Sequence, residues 1–300
     1  MQKVWDSIIV GAGPAGASCA VWLRHLGFEP LLIEATDRIG GLAARNPFAD
    51  IWTVTSPSLT GEQVADQIAR QVQAAGVDTW LESKVLSVDR PSEPSDFKVQ
   101  VQRPEHPPQT LLAKTLVLAT GVRPRGLPGH EDKRYPGVIV GPGQEVMNAD
   151  FTGARVALLG GGDNAFENYT FVKERGALRA KIYARTVRAQ KQFVDRVPSE
   201  DLIIGSATVD PGERTVNGER YDWILVLYGW QPNIGFLSDL PLALDQRGFV
   251  QTDMRDAQAS TNGVYAIGEV AQRMHPCVPT AMADGVVAAK AIEARLTARA

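Results

Sequence analysis

The sequence predicts an α/β fold in which one domain built on a βαβ unit is inserted into another. A strand, a glycine-rich turn, a helix and a second strand follow one another over residues 4–35, and the same order recurs over residues 155–185. Continuous apolar runs such as SIIV and VALL are typical of strands covered on both faces of a parallel sheet. Two such units about 150 residues apart indicate two Rossmann-like domains, each with its own nucleotide site.

The composition excludes several classes of protein. The 300 residues carry a formal net charge of −3, which gives no support to a nucleic-acid or membrane-surface partner. No apolar run is long enough for a secretory signal or a membrane span. Two cysteines, Cys19 and Cys277, provide neither a disulfide framework nor a metal cluster. We therefore expect a cytoplasmic protein without a structural metal.

The segments between and after the two βαβ units predict where the chain crosses between domains. Residues 76–108 contain KVLSVD and FKVQVQ, whose alternation is typical of antiparallel strands. TLVLATG, residues 115–121, reads as a buried strand, and the RPRGLPG that follows is typical of a linker. We expect a second crossing near residues 228–233 and a C-terminal amphipathic helix over residues 280–296.

The first glycine motif has the spacing and context of a dinucleotide site. Gly11, Gly13 and Gly16 form G-x-G-x-x-G between a strand and a helix, where glycines permit a tight turn and close approach of a pyrophosphate. Glu34 ends the second strand, 23 residues after Gly11, where a carboxylate can accept both ribose hydroxyls of an adenosine. The candidate cofactor-binding residues of this motif are Gly11, Gly13, Pro14, Ala15, Gly16, Glu34 and Ala35.

A second pair of glycines follows the first motif. Residues 37–41 read D-R-I-G-G, and Gly41 at their end suits a further backbone approach to a long cofactor. This favours FAD over NAD in the first domain. Taken alone, the double glycine is equally consistent with a flexible turn.

The second glycine motif differs from the first at the position that reads the ribose. Tyr183 stands where the spacing would place the acid, and Arg185 and Arg188 follow it. Arginines there suit a 2′-phosphate, so NADPH is favoured, with NADH as the alternative. The arginines are also consistent with a merely solvated basic face. The candidate cofactor-binding residues are Gly160, Gly162, Asp163, Asn164, Ala165, Arg185 and Arg188.

Taken together, these motifs resemble the low-molecular-weight thioredoxin reductase family of flavoproteins. The residues that carry the resemblance are GAGPAG with Glu34, DRIGG at 37–41, ATG at 119–121, GLPG at 126–129, GGGDNAFE at 160–167 and GVYAIGEV at 263–270. The resemblance implies a homodimer in which hydride passes from NADPH to FAD. It also implies an FAD-binding domain of residues 1–122 and 235–300 and an NAD(P)H-binding domain of residues 123–234.

The chain departs from that family at the redox-active cysteines. The C-x-x-C pair that normally precedes the second glycine motif is missing from residues 137–153, and a dithiol relay requires both an attacking and a resolving thiol. One branch without the pair is the ferredoxin/flavodoxin–NADP reductases of thioredoxin-reductase type. The stretch GGLAARNPFADIWTV resembles that branch, with Trp52 where an aromatic beside the flavin is expected. The family's arginine clamp is incomplete, with Arg185 and Arg188 alone.

The resemblance also implies residues at the flavin end. Glu269 is expected at the ribityl or phosphate region, and a helix opening near Thr280 is expected to direct its positive end at the flavin N1–O2 edge. Cys277 lies in the same region and is interpreted as a packing residue, with a thiolate partner of the flavin as the alternative. The remaining cofactor-binding candidates implied by the resemblance are Trp52, Val85, Ala119, Thr120, Gly121, Gly268, Glu269 and Val278. No catalytic side chain is identified.

The function expected from these features is an NAD(P)H-dependent FAD oxidoreductase with the flavin as its only redox centre. Its electrons would pass to an external acceptor such as ferredoxin or flavodoxin, or to a small molecule. Two alternatives stay open from the sequence. One is an FAD protein that does not use NAD(P)H and is reduced by a protein donor or acts as an oxidase. The other is a flavin-binding module without turnover.

Overall fold

The chain divides into two compact units in the computed structural model. Unit 1 comprises Met1–Val122 and Pro232–Ala300, and unit 2 comprises Arg123–Gln231. The second unit is thus an insertion into the first. The structure describes residues 2–46, 48–89, 96–131, 133–237 and 240–298. Residues 90–95 of the polar stretch 76–108 and Pro47 of the stretch around Trp52 lie outside the described residues.

The strands are short and recur along the whole chain. They are β1 (Val4–Val10), β2 (Pro30–Ile33), β3 (Asp78–Trp80), β4 (Lys84–Asp89), β5 (Phe97–Gln102), β6 (Gln109–Leu118), β7 (Val122–Pro124), β8 (Val138–Val140), β9 (Arg155–Leu159), β10 (Arg179–Ala184), β11 (Leu202–Ile204), β12 (Val209–Asp210), β13 (Thr215–Val216), β14 (Glu219–Arg220), β15 (Trp223–Val226), β16 (Trp230–Pro232) and β17 (Val264–Ala266).

Helices, like strands, occur in both units. They are α1 (Pro14–His25), α2 (Gly61–Ala74), α3 (Gln144–Asn148), α4 (Asp163–Glu174), α5 (Lys191–Val194) and α6 (Val278–Thr297), with short 3-10 helices at Ala43–Arg45, Ser199–Asp201 and Gly268–Val270. Thr60 caps α2 in a reciprocal capping box with Gln63, which satisfies two backbone donors at the helix start.

Unit 1 is built on a mixed sheet. Its path is β3-β2-β1-β6-β5-β4, and β17 also pairs with β6. The pairs among β1, β2, β3, β6 and β17 are parallel, whereas β4, β5 and β6 form an antiparallel meander. The predicted antiparallel strands KVLSVD and FKVQVQ are β4 and β5, so that prediction is confirmed.

The apolar residues of β1 show why this sheet is buried on both faces. Ile8 and Val10 belong to one core cluster, and Ile9 between them belongs to a second. Because side chains alternate across a strand, the two clusters lie on opposite faces of the sheet. An uninterrupted apolar run is the sequence that such a strand requires.

Unit 2 repeats this plan with a purely parallel sheet of order β11-β10-β9-β15-β8. Leu158 and Ile182 face one core cluster, and Leu159 and Tyr183 face the other. A three-stranded antiparallel sheet of β12, β13 and β14 accompanies it, and β16 and β7 form a two-stranded sheet. The predicted α/β fold of two Rossmann-like units is therefore confirmed.

Two elements differ from their predicted bounds, and one small sheet was not predicted. The buried strand expected at residues 115–121 is the end of β6, which begins at Gln109, and α6 begins at Val278 rather than near Thr280. The sheet of β12 to β14 was not predicted because each of its strands has only two residues, although the Asn217-Gly218 turn between β13 and β14 is typical of a hairpin. Strands of this length carry no measurable alternation.

A cluster of charges ties the small sheet of unit 2 to its parallel sheet. Glu219 accepts from Arg155 at 2.9 Å and from Lys181 at 2.6 Å, and Arg179 lies 3.3 Å away. Partial burial acts to raise the pKa of Glu219, but hydrogen bonds from Lys181, Tyr221 and Arg155 outweigh it and hold the pKa at about 2. The ionised carboxylate therefore stabilises the fold.

Glu219→Gln is expected to remove this stabilisation. Because the folded pKa lies below that of the unfolded chain, the contribution is complete above about pH 4.5 and is lost as the pH falls to about 2. We expect the variant to lose about 1 to 3 kcal/mol of unfolding free energy at pH 7 and little at pH 2. Urea denaturation across this pH range measures the difference, and an equal loss at both ends would contradict the assignment.

Candidate functional site

The first glycine motif brings two strand ends together more closely than side chains allow. Gly11 has φ +103°, and a Cβ there would lie 2.3 Å from the carbonyl oxygen of Ala119. A Cβ on Gly16 would lie 2.0 Å from the carbonyl oxygen of Gly11, so α1 packs directly on the turn. The roles predicted for these two glycines are those that the geometry requires.

Gly13 has a different environment from its neighbours. The nearest atom to a Cβ at this position would be Cα of Gly41, 3.9 Å away, so the space around it is open. Gly41 has φ +58°, and the backbone N–H of Gly40 donates to the carbonyl oxygen of Ala12 at 2.8 Å. The two glycine-rich turns of unit 1 therefore meet and form a side-chain-free cradle at the start of α1, which begins with Pro14.

Glu34 is held in place beside this cradle. Its side chain accepts from the backbone N–H of Ala12 at 2.8 Å and from both the N–H and the hydroxyl of Thr36 at 2.9 Å. A carboxylate offers about four acceptor positions, so about one is left for a ribose hydroxyl. Acceptance of both ribose hydroxyls, as the sequence suggested, requires Glu34 to release one of these bonds.

The residues after β6 add a polar group to the same place. Thr120 follows Ala119 beside Gly11, and among the described residues its buried hydroxyl has no hydrogen-bond partner. Asn233 donates to the carbonyl oxygens of Thr120 and Gly121, which fixes this segment. A polar ligand in the open glycine cradle would supply the hydrogen-bond partner that the Thr120 hydroxyl is missing.

Three other candidates of unit 1 have side chains outside this cradle. Val85 is buried in a core cluster, so it can contact a nucleotide only through its backbone. Ala35 is exposed directly after Glu34, and Trp52 is 60% exposed in the loop between the 3-10 helix and α2. The placement of Trp52 beside a flavin stays a prediction.

The start of α6 is fixed against α1 by small residues. A Cβ on Gly285 would lie 2.5 Å from the carbonyl oxygen of Ala15 and 2.7 Å from the backbone nitrogen of Cys19. The hydroxyl of Ser18 also donates to the carbonyl oxygen of Met282 at 2.8 Å. The two helices therefore cross in direct backbone contact, which brings the first turns of α6 close to the first turns of α1.

A buried ion pair connects α6 to the turn after β17. Asp284 accepts from the N–H of Gly268 at 3.0 Å and from Arg273 at 3.0 Å, and Arg273 also donates to the carbonyl oxygen of Met254. The side chains of Arg273 and Asp284 are 4% and 8% exposed. Burial raises the pKa of Asp284, although the Gly268 N–H and the Arg273 charge act to lower it. Three segments thus share one buried cation.

The sequence singled out neither partner of this pair. Gly268, Glu269, Cys277 and Thr280 of the predicted flavin end line one small pocket together with Asp284. Val278, which was also predicted there, begins α6 and is not among the residues that line this pocket. Burial raises the pKa of Glu269. The signal for Asp284 was available, because it is an acid on the helix face that otherwise packs apolar residues into the core.

Unit 2 repeats the glycine geometry at its own sheet edge. Gly160 has φ +153°, and a Cβ there would lie 2.3 Å from the carbonyl oxygen of Leu227. Nothing lies within 4 Å of a Cβ on Gly162, which precedes α4, and Ala165 is fully buried. The candidate Asn164 uses its carbonyl oxygen to accept from the side chain of Asn168 at 2.7 Å.

The residues after β10 separate into a buried and an exposed group. Tyr183, which stands where an acid would read the ribose, is buried, and its hydroxyl contacts that of Tyr221 at 2.7 Å. Arg185 and Arg188 are exposed and form no ion pair with any residue that the structure describes. Burial raises the pKa of Tyr228, and the charge of Arg185 acts to lower it, which places Arg185 near the end of β15. Two exposed cations therefore follow β10, where the sequence predicted contact with a 2′-phosphate.

A known protein family matches most of the chain. The family model described as pyridine nucleotide-disulphide oxidoreductase matches residues 5–201 and 186–285. This chain belongs to the pyridine nucleotide-disulphide oxidoreductase family. A ferredoxin–NADP reductase of Limosilactobacillus fermentum is 30% identical over 304 residues, which cover 90% of this chain and 86% of that protein. A thioredoxin reductase of Dictyostelium discoideum is 25% identical, with 96% of each chain covered.

Solved structures show the same fold at lower identity. The thioredoxin reductase of Lactococcus lactis superposes with a TM-score of 0.82 and 22% identity, over 98% of this chain and 99% of that one. The bacillithiol disulfide reductase of Bacillus cereus superposes with a TM-score of 0.80 and 19% identity, over 98% and 100%. The predicted thioredoxin reductase-like fold is thus confirmed.

Family membership and the cradle agree on the cofactors. The prediction of a flavoprotein that uses FAD and a pyridine nucleotide is confirmed, and the chain is an oxidoreductase. Unit 1 fits FAD, because the backbone at Gly13 is open, Glu34 is bound to the N–H of Ala12 next to it, and the unpaired hydroxyl of Thr120 lies beside Gly11. Among the described helices, none combines the length and apolarity needed to cross a membrane.

Arg273→Met is expected to destabilise unit 1 by about 3 to 5 kcal/mol, because it leaves the carboxylate of Asp284 buried without its counter-ion. With the folded pKa of Asp284 raised further, the deficit grows as the pH rises above about 4 and shrinks below it, where the acid is protonated. Urea denaturation of the FAD-loaded protein at several pH values measures this.

The matched control is the double variant Arg273→Met with Asp284→Asn, which removes both charges. We expect it to be more stable than Arg273→Met alone at pH 7, because no unpaired charge stays buried. A double variant no more stable than the single one would contradict the ion pair as the cause.

Proposed function

We propose that this chain is an FAD-dependent NADPH oxidoreductase in which the flavin is the only redox centre. Electrons leave it for an external acceptor protein such as ferredoxin or flavodoxin. When bound, FAD accepts hydride from NADPH and releases electrons to such a carrier. The chain's own residues hold the two cofactors and supply no thiol relay between flavin and acceptor.

The cysteines carry this proposal. Cys19 is fully buried in α1, where desolvation raises its thiol pKa far above the ordinary value. Cys277 directly precedes α6 and contacts the hydroxyl of Thr280 at 3.3 Å. The sequence contains no other cysteine. Disulfide exchange requires a reactive thiolate and a resolving thiol. The environments of Cys19 and Cys277 therefore support an electron route that does not use a dithiol.

Two glycines in the segment that lacks the C-x-x-C pair have backbone conformations that disfavour a side chain. Gly141 follows β8 with φ +84°, and a Cβ there would lie 2.2 Å from Cγ of Pro124. Gly143 before α3 has φ +129°, where side chains other than hydrogen are strained. A cysteine at either position would therefore be strained, which agrees with the absence of the pair from this segment.

The named relatives support the acceptor and the nucleotide. The Limosilactobacillus fermentum relative is a ferredoxin–NADP reductase, and the exposed Arg185 and Arg188 suit the 2′-phosphate that distinguishes NADPH from NADH. A homodimer, a cytoplasmic location and the choice between ferredoxin, flavodoxin and a small-molecule acceptor stay predictions.

Anaerobic titration tests the proposal. We expect one equivalent of NADPH to bleach one equivalent of bound FAD, and the thiols titrated after denaturation to number two both before and after reduction. A dithiol enzyme would take up a second equivalent of NADPH and gain two thiols. Visible absorbance and a thiol reagent measure the two quantities.

Acceptor assays complete the test. We expect NADPH-dependent reduction of ferredoxin or flavodoxin and none of thioredoxin, with ferricyanide as a control acceptor that any reduced flavin serves. Failure of both NADPH and NADH to bleach the flavin would contradict the proposal and favour an FAD protein reduced by another donor. A gain of thiols on reduction would contradict the flavin as the only redox centre.

A further inference from the structure

The segment that carries the two arginines is folded onto the second glycine loop. The backbone N–H groups of Arg188 and Ala189 both donate to the carbonyl oxygen of Gly161, at 2.7 and 3.1 Å. A Cβ on Gly161 would lie 2.0 Å from the carbonyl oxygen of Thr186. Residues 186–190 and the glycine loop are therefore in backbone contact, and the contact depends on glycine at position 161.

Asp163 adds a two-point anchor at the end of this segment. It is the first residue of α4, and its carboxylate accepts from the backbone N–H of Gln190 at 2.7 Å and from the Gln190 side-chain amide at 2.9 Å. Charge-assisted hydrogen bonds of this kind are the stronger class. Both carboxylate oxygens of Asp163 are thus engaged by one residue of the arginine-bearing segment.

Asp163 lies at a helix start where a nucleotide phosphate is expected, so its hydrogen bonds to Gln190 bear on phosphate binding. The start of a helix after a glycine loop is where a nucleotide pyrophosphate binds, and a carboxylate there would repel that anion. The two bonds from Gln190 occupy both carboxylate oxygens, although the negative charge stays on Asp163. An acid at a phosphate-binding helix start is therefore tied to a partner other than the phosphate.

One exposed arginine precedes the anchored segment and a second lies within it. Arg185 precedes it directly after β10, and Arg188 lies within it with its own N–H bound to Gly161. Both side chains are exposed, without an ion pair to any residue in the described ranges. Guanidinium groups on a fixed backbone bind phosphate better than the same groups on a mobile one, because less conformational freedom is lost on binding.

We infer that Asp163 and Gln190 are positioning residues for nucleotide selectivity. They hold residues 186–190 on the glycine loop so that Arg185 and Arg188 are preorganised for a ribose 2′-phosphate. The preference for a phosphorylated over an unphosphorylated adenosine then depends on two side chains that do not touch the phosphate. This inference rests on the proposed use of NADPH and extends it to residues beyond the two arginines.

Binding of 2′,5′-ADP and of 5′-ADP to the FAD-loaded protein tests the inference by calorimetry. Wild type is expected to bind 2′,5′-ADP about tenfold more tightly or better. Gln190→Ala is expected to lower this preference about fivefold, with a change of less than about twofold for 5′-ADP. Asp163→Asn retains one acceptor, so we expect a smaller loss of preference.

Two further variants separate the explanations. Arg185→Met removes a phosphate-binding cation and is expected to lower the preference without the anchor being broken. Asp195→Asn removes one acid from the exposed pair with Lys191 and serves as the charge-matched control for Asp163→Asn, with an expected change of less than about twofold. Thermal unfolding of each variant verifies that Gln190→Ala, an exposed substitution, leaves the fold intact.

The outcomes distinguish a failure of the proposed NADPH use from a failure of the positioning role alone. Equal binding of the two ligands by wild type would overturn the use of NADPH, and the positioning role with it. A wild-type preference that is lost in Arg185→Met but retained in both Gln190→Ala and Asp163→Asn would overturn the positioning role alone. A preference that falls in Gln190→Ala and Asp163→Asn but not in Asp195→Asn supports it.

Discussion

In both units, two backbone segments pass so close to each other that no side chain fits between them, and the rest of the unit depends on this contact. At Gly11 and at Gly160, a Cβ would lie 2.3 Å from a carbonyl oxygen of a neighbouring strand end, and both residues have positive φ. The next glycine in each motif, Gly13 or Gly162, is open instead. The first glycine thus closes the edge of the sheet and the second leaves it accessible. A ligand can reach the helix start because the side chains that would cover it are missing.

The two units use different groups to support the middle of this loop. In unit 1 the carboxylate of Glu34 binds the N–H of Ala12, so the group that reads a ribose also braces the glycine turn. In unit 2 the backbone of residues 186–190 binds the carbonyl oxygen of Gly161 instead. With this support supplied by the backbone, no acid is required at the end of β10, where Tyr183 stands and Arg185 follows. The difference between an adenosine site with free hydroxyls and one suited to a 2′-phosphate therefore begins in how each loop is supported.

Local patterns were sufficient for the strands of the two βαβ units, the glycine turns and the antiparallel strands β4 and β5, because each depends on neighbours in sequence. The glycine motifs could be assigned roles residue by residue, since only glycine tolerates the φ values and approaches involved. The contacts that position the sites could not be predicted this way. Arg273 and Asp284 meet only after α6 packs on α1. Asp163 meets Gln190 only after β10 has paired with β9. Pairing of this kind is a tertiary property, and one sequence contains no trace of it.

The buried ion pair of Arg273 and Asp284 also determines the electrostatic field at the start of α6. A helix N-terminus carries roughly half a positive charge, which is the basis of the predicted effect on a reduced flavin. Asp284 lies in the second turn of α6, and its full negative charge would offset that effect if it stood alone. Arg273, bound to it at 3.0 Å and equally buried, restores neutrality within the pair. The net field at the helix start is then that of the helix itself, so Arg273 is as much a condition of the predicted flavin chemistry as it is of the fold.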